Sequence, residues 1–125
     1  IPLRAIRHLE KGRAVVFGAG AGMPFFSTDT VAIQRALETH CDEVLVGKNG
    51  VDAVYTADPR TDPDARRLER LTFDDAIQQG LKVVDSTAFS LSRDNALPMR
   101  VFGMGEPGNV TRALRGESIG TLVTA

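Results

Sequence analysis

Phe17-Gly18-Ala19-Gly20-Ala21-Gly22-Met23-Pro24-Phe25-Phe26-Ser27-Thr28-Asp29-Thr30 is the stretch on which the reading of this chain turns. Before it, Ala14-Val15-Val16-Phe17 is continuously apolar and β-prone, which predicts a strand covered on both faces. After it, Ala32, Ile33, Ala36 and Leu37 form one apolar stripe at helical spacing and predict a helix to about His40. Ser27 and Thr28 offer that helix its N-cap. Glycines without a Cβ let backbone amides approach a ligand closely, and the free N–H groups and positive dipole end of a helix favour an anion. The spacing is neither G-x-G-x-x-G nor G-x-x-x-x-G-K-[ST], so neither the dinucleotide nor the Walker fingerprint applies. On spacing alone two readings stand side by side: an anion-binding loop, and a tight strand-to-helix turn. Asp29 has two readings as well. It is either a first-turn carboxylate favoured by the dipole or a group stationed beside bound phosphates.

Working outward, the chain opens on a helix with Pro2 in its first turn and Lys11-Gly12 at its end. Val44-Leu45-Val46 is a second candidate for a buried strand. From Asn49 to Arg70 the chain is rich in Gly, Pro, Asp and Arg, and reads as a functional loop anchored by Val51, Val54 and Tyr55. Thr72 opens a short helix that Gly80 closes, and Asp85-Ser86-Thr87 cap another to about Asn95. Pro98 to Phe102 reads as a strand, Asn109 to Arg115 as a short helix, and Thr121-Leu122-Val123 as a last strand. Strands alternating with helices predict an α/β fold, a three-layer αβα sandwich around a mostly parallel sheet. The 125 residues suit one compact domain or one lobe of a larger one.

Composition excludes several classes. Fifteen basic and 16 acidic residues leave a formal charge of −1, without the basic excess of a dedicated nucleic-acid binder. No apolar run has the length of a membrane span, so no membrane partner is expected. Cys41 is the single cysteine, which points to a reducing cytoplasm. His8, His40 and Cys41 lack metal-ligand spacing, and no protein-held metal cluster is expected. Ile1, without a Met, stands at the head of a helix already under way, so a piece of a longer chain is expected.

The second informative stretch is Gly47-Lys48-Asn49-Gly50-Val51-Asp52-Ala53-Val54-Tyr55-Thr56-Ala57-Asp58-Pro59-Arg60. It follows a strand end, where ligand crevices form in open α/β sheets. Tyr55 can pack on a purine, Asp58 can hold a ribose hydroxyl, and Lys48 or Asn49 can reach phosphates. Read plainly, the same residues also make a turn in which Asp52 and Asp58 bond locally.

Together the two stretches resemble the amino-acid kinase family and, within it, the uridylate kinases. Asp52-Ala53-Val54-Tyr55-Thr56-Ala57-Asp58-Pro59 is similar to the family's D-G-V-Y-x-x-D-P signature. Gly20 to Asp29 is similar to the G-T-G-N-P-[YF]-F-[ST]-T-D loop of uridylate kinases. Leu81-Lys82-Val83-Val84-Asp85-Ser86-Thr87-Ala88 and the ending Gly116 to Val123 support it, and the likeness runs over essentially the whole chain. It implies the amino-acid kinase fold with the N-terminal half absent, and phosphoryl transfer from ATP, with Mg²⁺, to UMP. It assigns UMP to Ala21, Gly22, Met23, Pro24, Phe25, Phe26, Ser27 and Thr28. It assigns ATP to Asn49, Tyr55 and Asp58, catalytic carboxylates to Asp29 and Asp85, and an allosteric GTP contact to Arg13. It further implies a homo-oligomer, a hexamer in the family, with GTP as activator and UTP as inhibitor. Ala21, Met23 and Ala53 depart from the usual Thr, Asn and Gly, and Ala53 raises the question of a positive φ. The half with the first glycine loop and its Lys lies outside these residues, so turnover by this chain alone is not expected. Two other functions stay open: a small-substrate kinase of the same fold with another acceptor, and a non-catalytic nucleotide-binding remnant.

Overall fold

The computed structural model describes residues 1–125. In chain order it contains α1 (Pro2–Glu10), α2 (Thr28–Glu38), β1 (Val44–Lys48), β2 (Val54–Tyr55), β3 (Arg67–Leu68), β4 (Arg70–Thr72), α3 (Phe73–Gln78), α4 (Ser86–Asp94), β5 (Met99–Gly103), α5 (Asn109–Leu114) and β6 (Thr121–Thr124). Four strands form the main sheet in the order β1-β5-β6-β4, and β2 and β3 make a separate antiparallel hairpin. In the main sheet β1 pairs with β5 and β4 with β6 in parallel, while β5 and β6 are antiparallel. The sheet is therefore mostly parallel, as expected.

Period-2 alternation along β5 produces the layers. Met99 and Val101 point into a large core with Ile33 and Ala36 of α2, Phe73 and Ala76 of α3, and Ala88 and Phe89 of α4. Phe102 points the other way, into a smaller core with Ala113 of α5, Ile119 and Leu45. Three helices on one face and one on the other give the three-layer sandwich. Helix punctuation follows the sequence closely. Ser27 caps α2 by accepting from Thr30 N–H, Thr72 caps α3 by accepting from Asp75 N–H, and Gly12 and Gly80 take the left-handed φ that ends a helix.

Three expectations need correction. Ala14 to Phe17 forms no strand, and Val16 and Phe17 are exposed. A strand exists through ladder partners, and no strand among these 125 residues pairs with this segment; an apolar run states a preference for burial without supplying neighbours. The region 49–70 is not all loop, because it contains the β2–β3 hairpin and leads directly into β4. These strands of two or three residues are too short to leave a period in the sequence. Finally, Ala53 is fully buried but does not have a positive φ, so the alanine carries no left-handed strain there.

Candidate active site

Two helix N-termini, those of α2 and α4, meet beside the C-terminal end of β1. Each supplies an acid to the other. Asp85, the N-cap residue of α4, does not bond its own helix with its side chain. Its Oδ2 instead accepts hydroxyl hydrogen bonds from Ser27 and Thr30 of the α2 N-terminus, both at 2.9 Å. Asp29, in the first turn of α2, reaches back and accepts from Asp85 N–H at 3.1 Å. The cation of the group is Lys48, whose Nζ lies 3.1 and 3.2 Å from the two carboxylate oxygens of Asp29. Both side chains of this ion pair are about one-quarter exposed (25% and 24%), so the pair can still meet a ligand. The hydroxyl bonds from Ser27 first, and from Thr30 second, hold the Asp85 carboxyl below the usual carboxylate range.

The same Lys48 forms one wall of a cleft of about 640 Å³, where it is joined by Asn49, Tyr55 and Asp58. The opposite wall is Gln79 to Val83, from the α3 end to the approach to α4. Within the cleft, Tyr55 donates its hydroxyl hydrogen to Asp52 at 2.8 Å, and this bond raises the phenol pKa. Asp58 accepts from the Arg60 backbone N–H at 2.9 Å and from Arg60 Nε at 3.2 Å, which lowers its pKa, the backbone bond being the larger cause. Asp58 makes the local turn foreseen for it, and its exposed carboxylate also lines the cleft.

The predicted residues divide into groups. Ser27, Asp29 and Asp85 are joined by hydrogen bonds, and Asn49, Tyr55 and Asp58 share one cleft. Gly22 to Phe26 stand on an exposed loop ahead of that network, with Ala21 half-buried. The loop is held by left-handed backbone at Ala19, Gly20, Gly22 and Phe25, of which Phe25 is an aromatic residue bearing the strain with its ring fully exposed. Thr28, with Gly20 and Phe17, lines a second crevice of about 440 Å³ along α2 and β1 that contains none of Asp29, Lys48 or Asp85. Arg13 belongs to neither group; its Nη1 lies 2.9 Å from His8 Nδ1 on the surface. Sequence reasoning missed the Lys48–Asp29 pair and Thr30. Lys48 stood out only as a residue able to reach phosphates, and Thr30 is an unremarkable third helical residue until Asp85 arrives from 55 positions away. No group of three His, Cys, Asp or Glu side chains is arranged to hold a metal ion.

Lys48 thus links a strand-end cleft, the place where ligands bind in open α/β folds, to the two carboxylates at the N-termini of α2 and α4. Residues 3–103 match the amino acid kinase family, and the chain belongs to that family. Among individual relatives it is similar to uridylate kinases. It is 68% identical to the uridylate kinase of Bifidobacterium longum over 124 residues, covering 99% of this chain and 50% of that protein. For the uridylate kinase of Clavibacter michiganensis the identity is 70%, covering 99% of this chain and 52% of the other. The crystal structure of the UMP kinase of Bacillus anthracis superposes with a TM-score of 0.93 at 44% identity, over 99% of this chain and 51% of that one. The UMP kinase of Ureaplasma parvum gives 0.90 at 36% identity, over all of this chain and 53% of that one. The chain thus spans about half the length of the relatives it matches. None of its helices is long and apolar enough to cross a membrane.

Proposed function

We propose that these residues form the acceptor-phosphate and nucleotide-holding half of a uridylate kinase site, transferring the γ-phosphoryl group of ATP to UMP. The observation that carries this reading is the position of Lys48, shared between the Asp29–Asp85 network and the cleft of Asn49, Tyr55 and Asp58. Phosphoryl transfer needs in-line placement and compensation of charge on the moving group, more than covalent help. The N-terminal N–H groups of α2 and the loop Ala21 to Thr28 receive the UMP phosphate, and the cleft receives adenine and ribose. UMP presents an anionic oxygen already, so Asp29 is not required as a base. It holds Lys48 and the α4 N-terminus where negative charge develops.

A divalent ion accompanying ATP fits this donor set. Mg²⁺ is held by one or two carboxylates, waters and substrate phosphates rather than by an all-protein cage. The chain offers two neighbouring carboxylates without a three-residue cluster, and Asp29 is the one that would share the ion. Bound Mg²⁺ supplies charge neutralisation at the β- and γ-phosphates. The same reading carries a homo-oligomer, a hexamer, in the cytoplasm, GTP activation through Arg13, UTP inhibition, and a place in pyrimidine nucleotide synthesis.

The half-length match to the relatives favours a second statement, that the 125 residues bind nucleotide without turning it over. Calorimetry with ADP and with UMP tests both. Binding of each, with no UDP formed from ATP and UMP until a chain completing the relatives' length is joined, is the expected result. Preference for aspartate or glutamate over UMP in the completed enzyme would move it to another branch of the family. Failure to bind any adenine nucleotide would remove the kinase reading.

A further inference from the structure

The cleft depends on a two-stranded hairpin that does not belong to the main sheet. Tyr55 ends β2, and Asp58 follows in the connection to β3. A hairpin of two residues per strand is marginal by itself, so something must hold it. The hydroxyl of Thr121, the first residue of β6, touches both of its strands. It accepts from Val54 N–H at 2.9 Å and donates to the Leu68 carbonyl. Val54 and Leu68 are register partners, so one side chain closes on both members of a single pair. Thr121 is completely buried, as are Val54 and Ala53.

The residue before it lies close against β5. Gly120 has φ +63°, and a Cβ on it would run into the Val101 carbonyl oxygen of β5. Only glycine permits that approach, which lets the chain pass against β5 immediately before Thr121 enters the β6 ladder. On the far side, Asp52 ties the hairpin to itself through Tyr55 Oη and Arg67 Nε. That ion pair is exposed and contributes little. Thr56 and Arg66 extend the hairpin by two more bonds, and Leu122 N–H donates to the Glu69 carbonyl beside it. The Thr121 hydroxyl is the buried side-chain link that reaches both strands of the hairpin.

We propose that Thr121 is a positioning residue for the adenine-nucleotide half of the site, clamping Tyr55 and Asp58 through the β2–β3 hairpin; this rests on the nucleotide reading given above. Thr121 touches no ligand itself. Without its hydroxyl, the Val54 N–H and Leu68 carbonyl lose a buried partner, and ligand binding must first recover the lost hairpin geometry.

The test uses the purified chain in three forms, wild type, Thr121→Val and Thr121→Ser. Amide hydrogen exchange is read at Val54, and affinities for ADP and for UMP are read by calorimetry. Thr121→Val keeps the shape, exposes the Val54 amide to exchange and weakens ADP roughly tenfold, the scale of one buried hydrogen bond to an unassisted partner. UMP affinity stays unchanged, which a general loss of fold would not allow, and Thr121→Ser restores ADP binding. Equal ADP affinity in wild type and Thr121→Val would overturn the positioning role alone. A wild-type chain that binds no ADP would overturn the nucleotide reading and this proposal with it. Should Thr121→Val fail to fold, the wild-type exchange rate decides: a protected Val54 amide supports the clamp, and one exchanging as fast as exposed loop amides overturns it.

Discussion

Replacing Asp85 by alanine probes the junction of α2 and α4 most directly. Its carboxylate accepts two hydroxyl bonds at 2.9 Å, from Ser27 and Thr30. Hydrogen bonds to a charged group contribute about 1.5–3 kcal/mol each, so two would set an upper bound of about 6 kcal/mol. Two features of the structure lower that figure. Ser27 is half-buried and can turn to water, and the buried Thr30 hydroxyl keeps Ser27 Oγ as an alternative partner at 3.3 Å. The expected loss is therefore about 2 kcal/mol, which for a domain of this size lowers Tm by roughly 8 °C. The assay is a double-mutant cycle of Asp85→Ala with Thr30→Val by urea unfolding, where a coupling of about 1 kcal/mol is expected between groups in direct contact. Its pH dependence has a definite sign. Asp85 has a folded pKa depressed below its unfolded value of about 3.9, so its contribution is complete above about pH 5. It is lost as pH falls through the folded pKa, and the gap between wild type and Asp85→Ala narrows in acid. A coupling within about 0.3 kcal/mol of zero at pH 7, inside the additivity error, would refute the shared-carboxylate account.

Other perturbations separate chemistry from architecture. In an enzyme completed to the relatives' length, Asp29→Asn is expected to depress kcat far more than it alters UMP affinity, and unchanged turnover would take Asp29 out of the mechanism. Asp58→Ala removes an exposed carboxylate from the cleft together with its exposed turn bonds to Arg60, so it should weaken ATP with only a small fall in Tm; steady-state KM for ATP and a thermal melt decide. Gly120→Ala combines a left-handed backbone with a clash against β5, and a loss above about 3 kcal/mol, or no folded protein, is expected in unfolding experiments.

Much of this molecule was legible in order along the chain. Ser27 and Thr72 announce helix starts because a side-chain oxygen three residues ahead of a free N–H is a local arrangement. Gly12 and Gly80 announce helix ends because a left-handed residue is a local requirement. The alternation of β5 between two cores is likewise written in Met99, Val101 and Phe102. The motifs of the glycine loop and of residues 52–59 carry the family by resemblance, and the match over residues 3–103 agrees.

Relations between distant residues came from packing alone. Asp85 looks like the cap of its own helix, yet its side chain makes no capping bond there and serves α2, because packing α4 against α2 brings the Ser27 and Thr30 hydroxyls to 2.9 Å from its oxygen. Lys48 ends a strand, and only the position of α2 beside that strand makes it the counter-ion of Asp29. Ala14 to Phe17 has the composition of a buried strand and is left unpaired, because a strand is a property of neighbours as well as of residues. Thr121 reads as one more β-branched residue in a final strand, until the fold sets its hydroxyl against Val54 and Leu68. Caps, stripes and turns depend on bonds spanning three or four residues, and sequence determines them; contacts across 19, 55 or 67 positions depend on how the layers stack.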